Sequence, residues 1–394
     1  MANVSETSFD DLPSETAVEI FTRLPVKALI RSTSVNKSWY SLITNPKFIS
    51  AHIKHTISSV NEDVVLVIPH SNVSEEPYAS LYSFETGNVI DKYEIPFKTR
   101  TNTMQLVGSV NGLLCLTDVN IPYVGRDLHF WNPSVRKYLS IVTSCDHKWK
   151  EKDRIFNVVG FGVVEPGEDI RVVRIMYWDQ NPGKLVGEFA PVVEVFSLRE
   201  KKWREIQNTR VPRVASEEIG ISVGHMVYWL DCVGRTETHS CTVCLMSFDF
   251  RNEVFGLMKL TDDVRYCLGD CASFSLMKFK DSLAICVFEI NGSNGIYSQP
   301  FYIWLMSHED GTVSWTPHSK FVYERVQWPL TFTKSGHLLM SRGTNSDRMG
   351  LFPLPPCVDA SFIESLVMHE RGSELLELEI CNVSCPGSSL ISFW

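Results

Sequence analysis

The apolar residues between positions 11 and 57 recur at the three- and four-residue spacing of short amphipathic helices. Prolines divide them. Pro13 suits the start of a first helix, Pro25 breaks that helix, and Pro46 separates a third helix from a fourth. The pattern therefore predicts three or four helices, with the second through 28–30 and the third through 37–43. Because so short a bundle has little interior, some of its apolar side chains are expected to face a partner.

Beyond this segment the pattern changes to short strands in two alternating series. In the first, a strand ends in an aromatic residue and returns after a turn, at 81–95, 129–141, 194–206, 245–260, 302–318 and, in degraded form, 350–354. In the second, a turn such as Asn111-Gly112 precedes a hydrophobic strand, at 110–116, 166–177, 223–230, 279–288 and 334–341.

Together the two series indicate about four strands in every ~55 residues, which is close to the period of kelch-type blades. The fold class predicted is mainly β, with a small N-terminal α module followed by a β-propeller-like domain of about six blades. Either the tail after residue 370 or the segment 63–68 is expected to supply the strand that closes the ring. A large β-sandwich is the competing architecture.

Composition and charge narrow the function classes. The chain is 44% hydrophobic and 21% charged, as expected of a folded globular protein, and its net charge is −9. This acidic balance favours neither nucleic acid nor an anionic membrane as partner. The first ten residues lack the apolar core of a signal peptide, and no stretch approaches the roughly 18 apolar residues of a membrane span. Eleven scattered cysteines suit reduced thiols, so a cytoplasmic or nuclear location is expected.

Motifs for catalysis, cofactors or metals are weak. Cys241 and Cys244 form a CxxC pair, but Cys267 and Cys271, the next two cysteines, have a three-residue gap and complete no recognised zinc pattern. No phosphate-binding glycine loop and no nucleophile elbow is present. We therefore expect no metal, no cofactor and no catalytic residue in this chain.

The helical segment resembles the plant F-box. In "DLPSETAVEIFTRLPVKALIRSTSVNKSWYSLITNPKFI" the LP, the acidic helix with IF, RLPVKAL, VNKSW, LI and PKF follow the family's order over about 40 residues. The resemblance implies a hook that binds a Skp-type adaptor, and through it a cullin. The residues that it assigns to the adaptor-binding face are Leu12, Pro13, Ile20, Phe21, Leu24, Pro25, Val26, Leu29, Val35, Trp39 and Leu42. Thr33, Ser34 and Asn36 are more polar than the family pattern, and weaker adaptor binding is expected from them.

The β segments resemble the plant F-box-associated domain. The matching pieces include "GSVNGLLCL", "WNPSVRKYLSI", "EVFSLREKKWREI", "SFDFRNEVFGLMKL" and "FIESLV", and they span roughly 106–368. The resemblance implies that loops of the propeller bind a protein target. Aromatic residues expected in loops between strands are the candidate target-binding residues, because aromatic side chains anchor interfaces: Tyr123, Trp149, Trp178, Tyr297 and Trp328.

These expectations divide the chain into an N-terminus without fixed structure (1–10), an F-box (11–57), a β-propeller-like domain (58–370) and a C-terminal tail (371–394). The predicted function is that of a non-catalytic substrate-recognition subunit of a Skp-cullin-F-box ubiquitin ligase, which brings a target to ubiquitination and proteasomal degradation. Two alternatives are an F-box scaffold that acts outside the ligase and a ligand-binding propeller.

Overall fold

A computed structural model describes seventeen parts of the chain, which together contain a small α module and a large β domain. They are residues 13–59, 63–68, 78–97, 104–118, 127–141, 154–164, 169–179, 191–207, 211, 219–233, 242–267, 272–289, 299–309, 312–323, 327–342, 357–359 and 366–368. The mainly β class predicted from the pattern is confirmed.

Four helices form the N-terminal module, here called the helical module (residues 13–59). They are Ser14–Thr22 (α1), Val26–Ser32 (α2), Lys37–Ile43 (α3) and Pro46–Ser59 (α4). The prolines act as the sequence predicted, since Pro13 and Pro25 have extended backbones immediately before α1 and α2. The side chain of Asn36 caps α3 by accepting a hydrogen bond from the Trp39 amide at 2.8 Å.

Within the described residues, the β domain contains five four-stranded antiparallel sheets and one two-stranded sheet. Sheet one contains Val64–Ile68 (β1), Tyr78–Ser83 (β2) and Val89–Glu94 (β3), and sheet two contains Met104–Val110 (β4), Leu113–Asp118 (β5), Leu128–Asn132 (β6) and Lys137–Ile141 (β7). Sheet three contains Arg154–Val163 (β8), Ile170–Asp179 (β9), Val192–Ser197 (β10) and Lys202–Glu205 (β11).

Sheet four contains Ile221–Val223 (β12), Met226–Val233 (β13), Thr242–Asp249 (β14) and Val254–Lys259 (β15), followed by one helical turn, Asp262–Arg265 (α5). Sheet five contains Ala272–Phe279 (β16), Ser282–Glu289 (β17), Gln299–Glu309 (β18) and Thr312–Tyr323 (β19). Gln327–Phe332 (β20) and Leu338–Arg342 (β21) form sheet six, and Cys357–Asp359 (β22) joins sheet one.

The sheets are arranged as the blades of a propeller. Strands β4, β8, β12, β16 and β20 lie side by side in that order, and β22 contacts both β20 and β4, so that the inner strands close a ring. The propeller is therefore confirmed over the sandwich alternative. Of the two segments that the sequence suggested for closing the ring, 63–68 takes part. It forms β1, which pairs antiparallel with β22, and Val358 lies opposite Val67. The tail after residue 370 lies outside the described residues.

A polar cluster ties the first blade to the sixth. The buried carboxylate of Asp63, just before β1, accepts hydrogen bonds from the amide and the hydroxyl of Ser335, which lies in the turn after β20. Burial by itself would raise the pKa of Asp63. The hydrogen bonds from Ser335 and Thr333 outweigh burial, so the pKa lies below its ordinary value. Phe84 stacks on His337 at 5.1 Å between ring centroids and covers the same seam.

Aromatic side chains fill the interior of the blades at the positions that the first strand series marked. Trp131, Phe196 and Phe248 are at most 1% exposed, and Trp304 is half-buried. Phe84, in the first segment of that series, is half-buried, and Phe352, in the degraded sixth segment, lies outside the described residues. Trp131, Phe196 and Phe248 each lie near the end of a strand that leads into a tight turn, whereas Trp304 lies within β18. The local arrangement of the first three explains why the blade rhythm could be recognised from the sequence.

Candidate protein-binding surfaces

The predicted adaptor-binding face divides into exposed and buried residues. Pro13, Ile20, Pro25 and Val35 are exposed, with 38% of Ile20 and 61% of Val35 accessible. Nothing in the fold requires these two aliphatic side chains to be exposed. Their burial in a complex would remove apolar surface from water. The exposed part of the face is the part that a partner can reach directly.

The other residues of that face support the helical module from inside. Phe21, Val26 and Leu29 are each at most 2% exposed. Phe21 packs edge-on against Trp39 with ring centroids 5.0 Å apart, while Leu24, Trp39 and Leu42 are half-buried and Leu12 lies outside the described residues. Phe21, Val26 and Leu29 form the core of the helical module, and their contact with an adaptor stays a prediction. Adaptor contact stays a prediction for the face as a whole.

The polar residues that depart from the F-box pattern have local hydrogen-bond partners. The Thr33 hydroxyl donates to the Ile30 carbonyl at 2.6 Å, and the Ser34 hydroxyl donates to the Arg31 carbonyl at 2.7 Å. These carbonyls belong to the last turn of α2, where the backbone amides of Thr33 and Ser34 also donate to them at 3.3 and 3.2 Å, so each hydroxyl adds a second hydrogen bond at the helix end. With Asn36 as the cap of α3, the polar segment thus builds the connection between two helices. An N-cap asparagine before an apolar run is a signal that could have been recognised in the sequence.

A cleft between α1 and α4 adjoins the exposed residues and was not predicted. It has a volume of about 520 Å³ and is lined by Glu19, Thr22, Arg23 and His55. Arg23 and Glu19 form an ion pair at 2.7 Å on its rim, with two thirds of each side chain exposed. An exposed pair of this kind contributes little to stability but gives the surface beside Ile20 a charged rim, which is how protein interfaces are commonly built.

His52 holds the break between α1 and α2 in place. Its Nε2 lies 2.9 Å from the Leu24 carbonyl oxygen, and since a carbonyl can only accept, that nitrogen carries the proton. The residue is 3% exposed, and burial lowers the pKa of its imidazole. The neutral ring therefore fixes the backbone that presents Pro25 at the surface.

The aromatic residues predicted to bind a target are only partly located by the structure. Tyr123, Trp149 and Tyr297 lie outside the described residues. Trp178 and Trp328 were expected in connections between strands, but their backbones belong to β9 and β20. They extend the strands because each pairs with a neighbour, Trp178 with Ile155 on β8 and Trp328 with Ser341 on β21. Target binding by the five aromatic residues stays a prediction.

The described residues also bear on the sequence expectations on metal binding and on membrane spans. Cys244 is buried in β14 and Cys267 is half-buried, whereas Cys241 and Cys271 lie outside the described residues. Across the described ranges no group of three His, Cys, Asp or Glu side chains is placed to hold a metal ion.

No helix in the described part of the chain has the length and apolarity needed to cross a membrane.

Comparison with known proteins matches both parts of the chain. Residues 9–50 match the F-box domain, and residues 55–348 match the F-box associated beta propeller domain. In Arabidopsis thaliana, "Putative F-box protein At1g47730" is 26% identical over 291 residues, which cover 71% of this chain and 66% of that protein. F-box protein CPR1 of the same plant is 28% identical over 201 residues, which cover 50% and 45% of the two chains.

The chain thus spans less than two thirds of the length of these relatives. Among solved structures, a hypothetical selenium-binding protein from Sulfolobus tokodaii aligns with 73% of this chain and 64% of its own length. Its sequence is 10% identical and the TM-score is 0.35, so the likeness carries no argument about this chain.

Proposed function

The chain belongs to the F-box proteins that carry an F-box associated beta propeller domain, and from this membership we propose that it is a non-catalytic substrate receptor of a Skp-cullin-F-box ubiquitin ligase. The helical module binds a Skp-type adaptor, and through it a cullin. The propeller binds a protein target, which is then ubiquitinated and degraded. The chain works in the cytoplasm or the nucleus, where that machinery is found.

The observation that carries the proposal is the exposed apolar surface of the helical module. Ile20 and Val35 stand exposed on a module whose interior is already filled by Phe21, Val26 and Leu29. Such residues on a small helical unit are available to a partner without any rearrangement of the core. Ubiquitin transfer itself would then be accelerated by proximity, because the receptor holds the lysines of the target near the activated ubiquitin.

Binding to the adaptor is tested with charged substitutions on the exposed residues. Purified full-length chain is titrated with a Skp-type adaptor by calorimetry, and Ile20→Asp and Val35→Asp are each expected to weaken binding at least tenfold, roughly 1.4 kcal/mol, since a carboxylate would be buried without a partner. Ile57→Asp is the matched control, because Ile57 is 53% exposed on α4 and outside the predicted face. Absence of binding by the parent chain, or equal loss in all three variants, contradicts the proposal.

Degradation is tested separately from adaptor binding, because a scaffold outside the ligase would use the same helical module. Proteins captured by proximity labelling under proteasome block are followed in cells that express the parent chain or the chain without residues 1–57. A degraded target accumulates with the truncated chain. Targets that keep the same half-life in both cells favour the scaffold.

A further inference from the structure

The helical module completes its apolar core with two side chains from distant parts of the sequence. Leu366 is fully buried and Val135 is 8% exposed, and both pack in the same cluster as Phe21, Leu29 and Phe48. Val135 lies in the turn between β6 and β7 of the second blade, and Leu366 follows β22. The module is therefore not a separate hydrophobic unit, because the β domain supplies part of its interior.

Residues 366–368 contact both sides of this junction. Leu366 points into the module, whereas Val367 and Met368 pack against the core between blades two and three, which contains Phe130 and Phe196. Neighbouring side chains of one short segment thus enter two different cores. Such a segment couples the position of the module to the position of the blades, since it cannot leave one core without disturbing the other.

A buried asparagine holds this segment against the second blade. Asn132, at the end of β6, is fully buried, and its Nδ2 donates to the Val367 carbonyl at 2.9 Å. Its Oδ1 accepts from the Ser134 amide at 3.0 Å and thereby shapes the turn that carries Val135. Because the Asn132 side chain is fully buried, the loss of either partner is costly. One side chain therefore positions both pieces that enter the module.

A second attachment lies on the first blade. The Lys27 ammonium of α2 lies 2.6 Å from the Asp91 carboxylate on β3. The hydrogen bond from Lys27 is the largest reason that the pKa of Asp91 lies below its ordinary value. Because the pair is partly exposed, it adds little stability. Its position on a neighbouring blade nevertheless restrains rotation of the module about the contact with blade two.

We propose that the turn 132–136 and residues 366–368 form a latch that fixes the helical module on the propeller in one orientation. Resting on the function proposed above, the latch sets the direction in which the propeller presents a bound target to the ligase. Transfer to a lysine depends on its reach to the activated ubiquitin, so a fixed orientation restricts which lysines react. Leu366, Val135 and Asn132 act as positioning residues that touch neither the adaptor nor the target.

Hydrogen exchange on the full chain tests whether the latch exists. Leu366→Ala and Asn132→Asp are expected to speed exchange of the α2 and α3 amides at least tenfold and to leave β17 at the parent's rate. Asn132→Asp keeps an oxygen acceptor for Ser134 and removes the donor to Val367. Leu283→Ala is the matched control, because Leu283 is equally buried but packs with Ile285 and Val287 in another cluster. It is expected to speed exchange in β17 and leave α2 unchanged.

Unchanged exchange in α2 with both latch variants overturns the proposal, as does a loss of protection that extends equally to α2 and β17. This experiment needs no adaptor, so it decides the latch even if the parent chain binds none. If the parent chain binds no adaptor but α2 exchange is accelerated in the latch variants, the proposed function fails and the latch stands.

A second experiment separates positioning from mere support of the fold. In a reconstituted ligase, ubiquitin attached to the chain's own lysines is mapped by mass spectrometry for the parent and for Asn132→Asp. The variant is expected to bind the adaptor within twofold of the parent and to be modified at a broader set of lysines. An identical set of modified lysines, with α2 exchange accelerated, shows that the latch supports the module without orienting it and overturns the positioning role.

Discussion

The packing of β8 against residue 250 predicts that Gly162 cannot be enlarged without cost. A Cβ placed on Gly162 would lie 2.5 Å from Cε2 and 2.9 Å from Cδ2 of Phe250. All three of its nearest atoms belong to that one ring. Phe250 is fully buried and packs edge-on against Phe248 at 5.3 Å between ring centroids. The ring therefore has to move within a closely packed interior.

The size of the effect follows from two opposing contributions. Overpacking of a core by one methyl group costs about 1–3 kcal/mol. Replacing glycine by alanine also stiffens the unfolded chain, which offsets about 0.4–1 kcal/mol. We expect Gly162→Ala to lower the free energy of unfolding by about 1–2 kcal/mol, which corresponds to roughly 1–2.5 °C in Tm at an unfolding entropy of ~2.1 cal/mol/K for each of the 394 residues.

A double-mutant cycle with Phe250→Leu tests the cause of this loss. Leucine lacks the outer ring atoms, so Gly162→Ala is expected to cost less in the Phe250→Leu background, with a coupling of about 0.5–3 kcal/mol. Thermal unfolding followed by circular dichroism gives all four values. Gly108→Ala is the control, because its Cβ would stop 3.3 Å from Phe161 and should cost less. Strict additivity of the two substitutions, or a Gly162→Ala variant as stable as the parent, would refute the steric reasoning.

Three further substitutions test other contacts. Because the pKa of Asp63 is lower in the folded chain, its contribution is present above its unfolded pKa of about 4 and lost as the pH falls through the lower folded value. Asp63→Asn should thus reduce Tm at pH 7 and differ little from the parent near pH 2, and a pH-independent difference contradicts this. Asn36→Ala should lower the free energy of unfolding by about 1 kcal/mol, because the Trp39 amide loses its cap. Asn36→Ser should retain most of the stability of the parent, since serine can also cap a helix. Equal urea midpoints for the two variants contradict the role of the cap. Arg171 reaches both Asp169 and Glu253, so Arg171→Lys should cost about 1 kcal/mol in urea unfolding, and an unchanged midpoint shows that one contact suffices.

Local patterns of the sequence predicted the elements well, because each element carries its own signals. Pro13 and Pro25 mark helix starts within a few residues of the helices that they begin. Phe196 and Phe248 each lie beside the turn of their own hairpin. Such signals depend on neighbours in the chain and are visible in a single sequence. The number of blades followed from counting them.

The contacts between elements could not be predicted in the same way. Leu366 lies more than 300 residues from the helices whose core it enters, and Asn132 bonds to Val367 across 235 residues of sequence. Periodicity shows that a residue is apolar at the right interval, but it does not show which surface covers it. For the same reason the resemblance placed Phe21 and Val35 on one face, although one is buried and the other exposed.

The late position of Leu366 has a consequence for folding during synthesis. The helices of the N-terminal module leave the ribosome about 300 residues before the side chain that completes their core. At ~5–20 residues per second, that interval lasts about 15–60 s. Over the same interval β1 lacks its partner strand β22. Neither the ring nor the helical module can therefore reach its final packing before these late residues are made. A nascent chain therefore reaches its final packing only after Leu366 has been synthesised, and products truncated before residue 357 lack both closures.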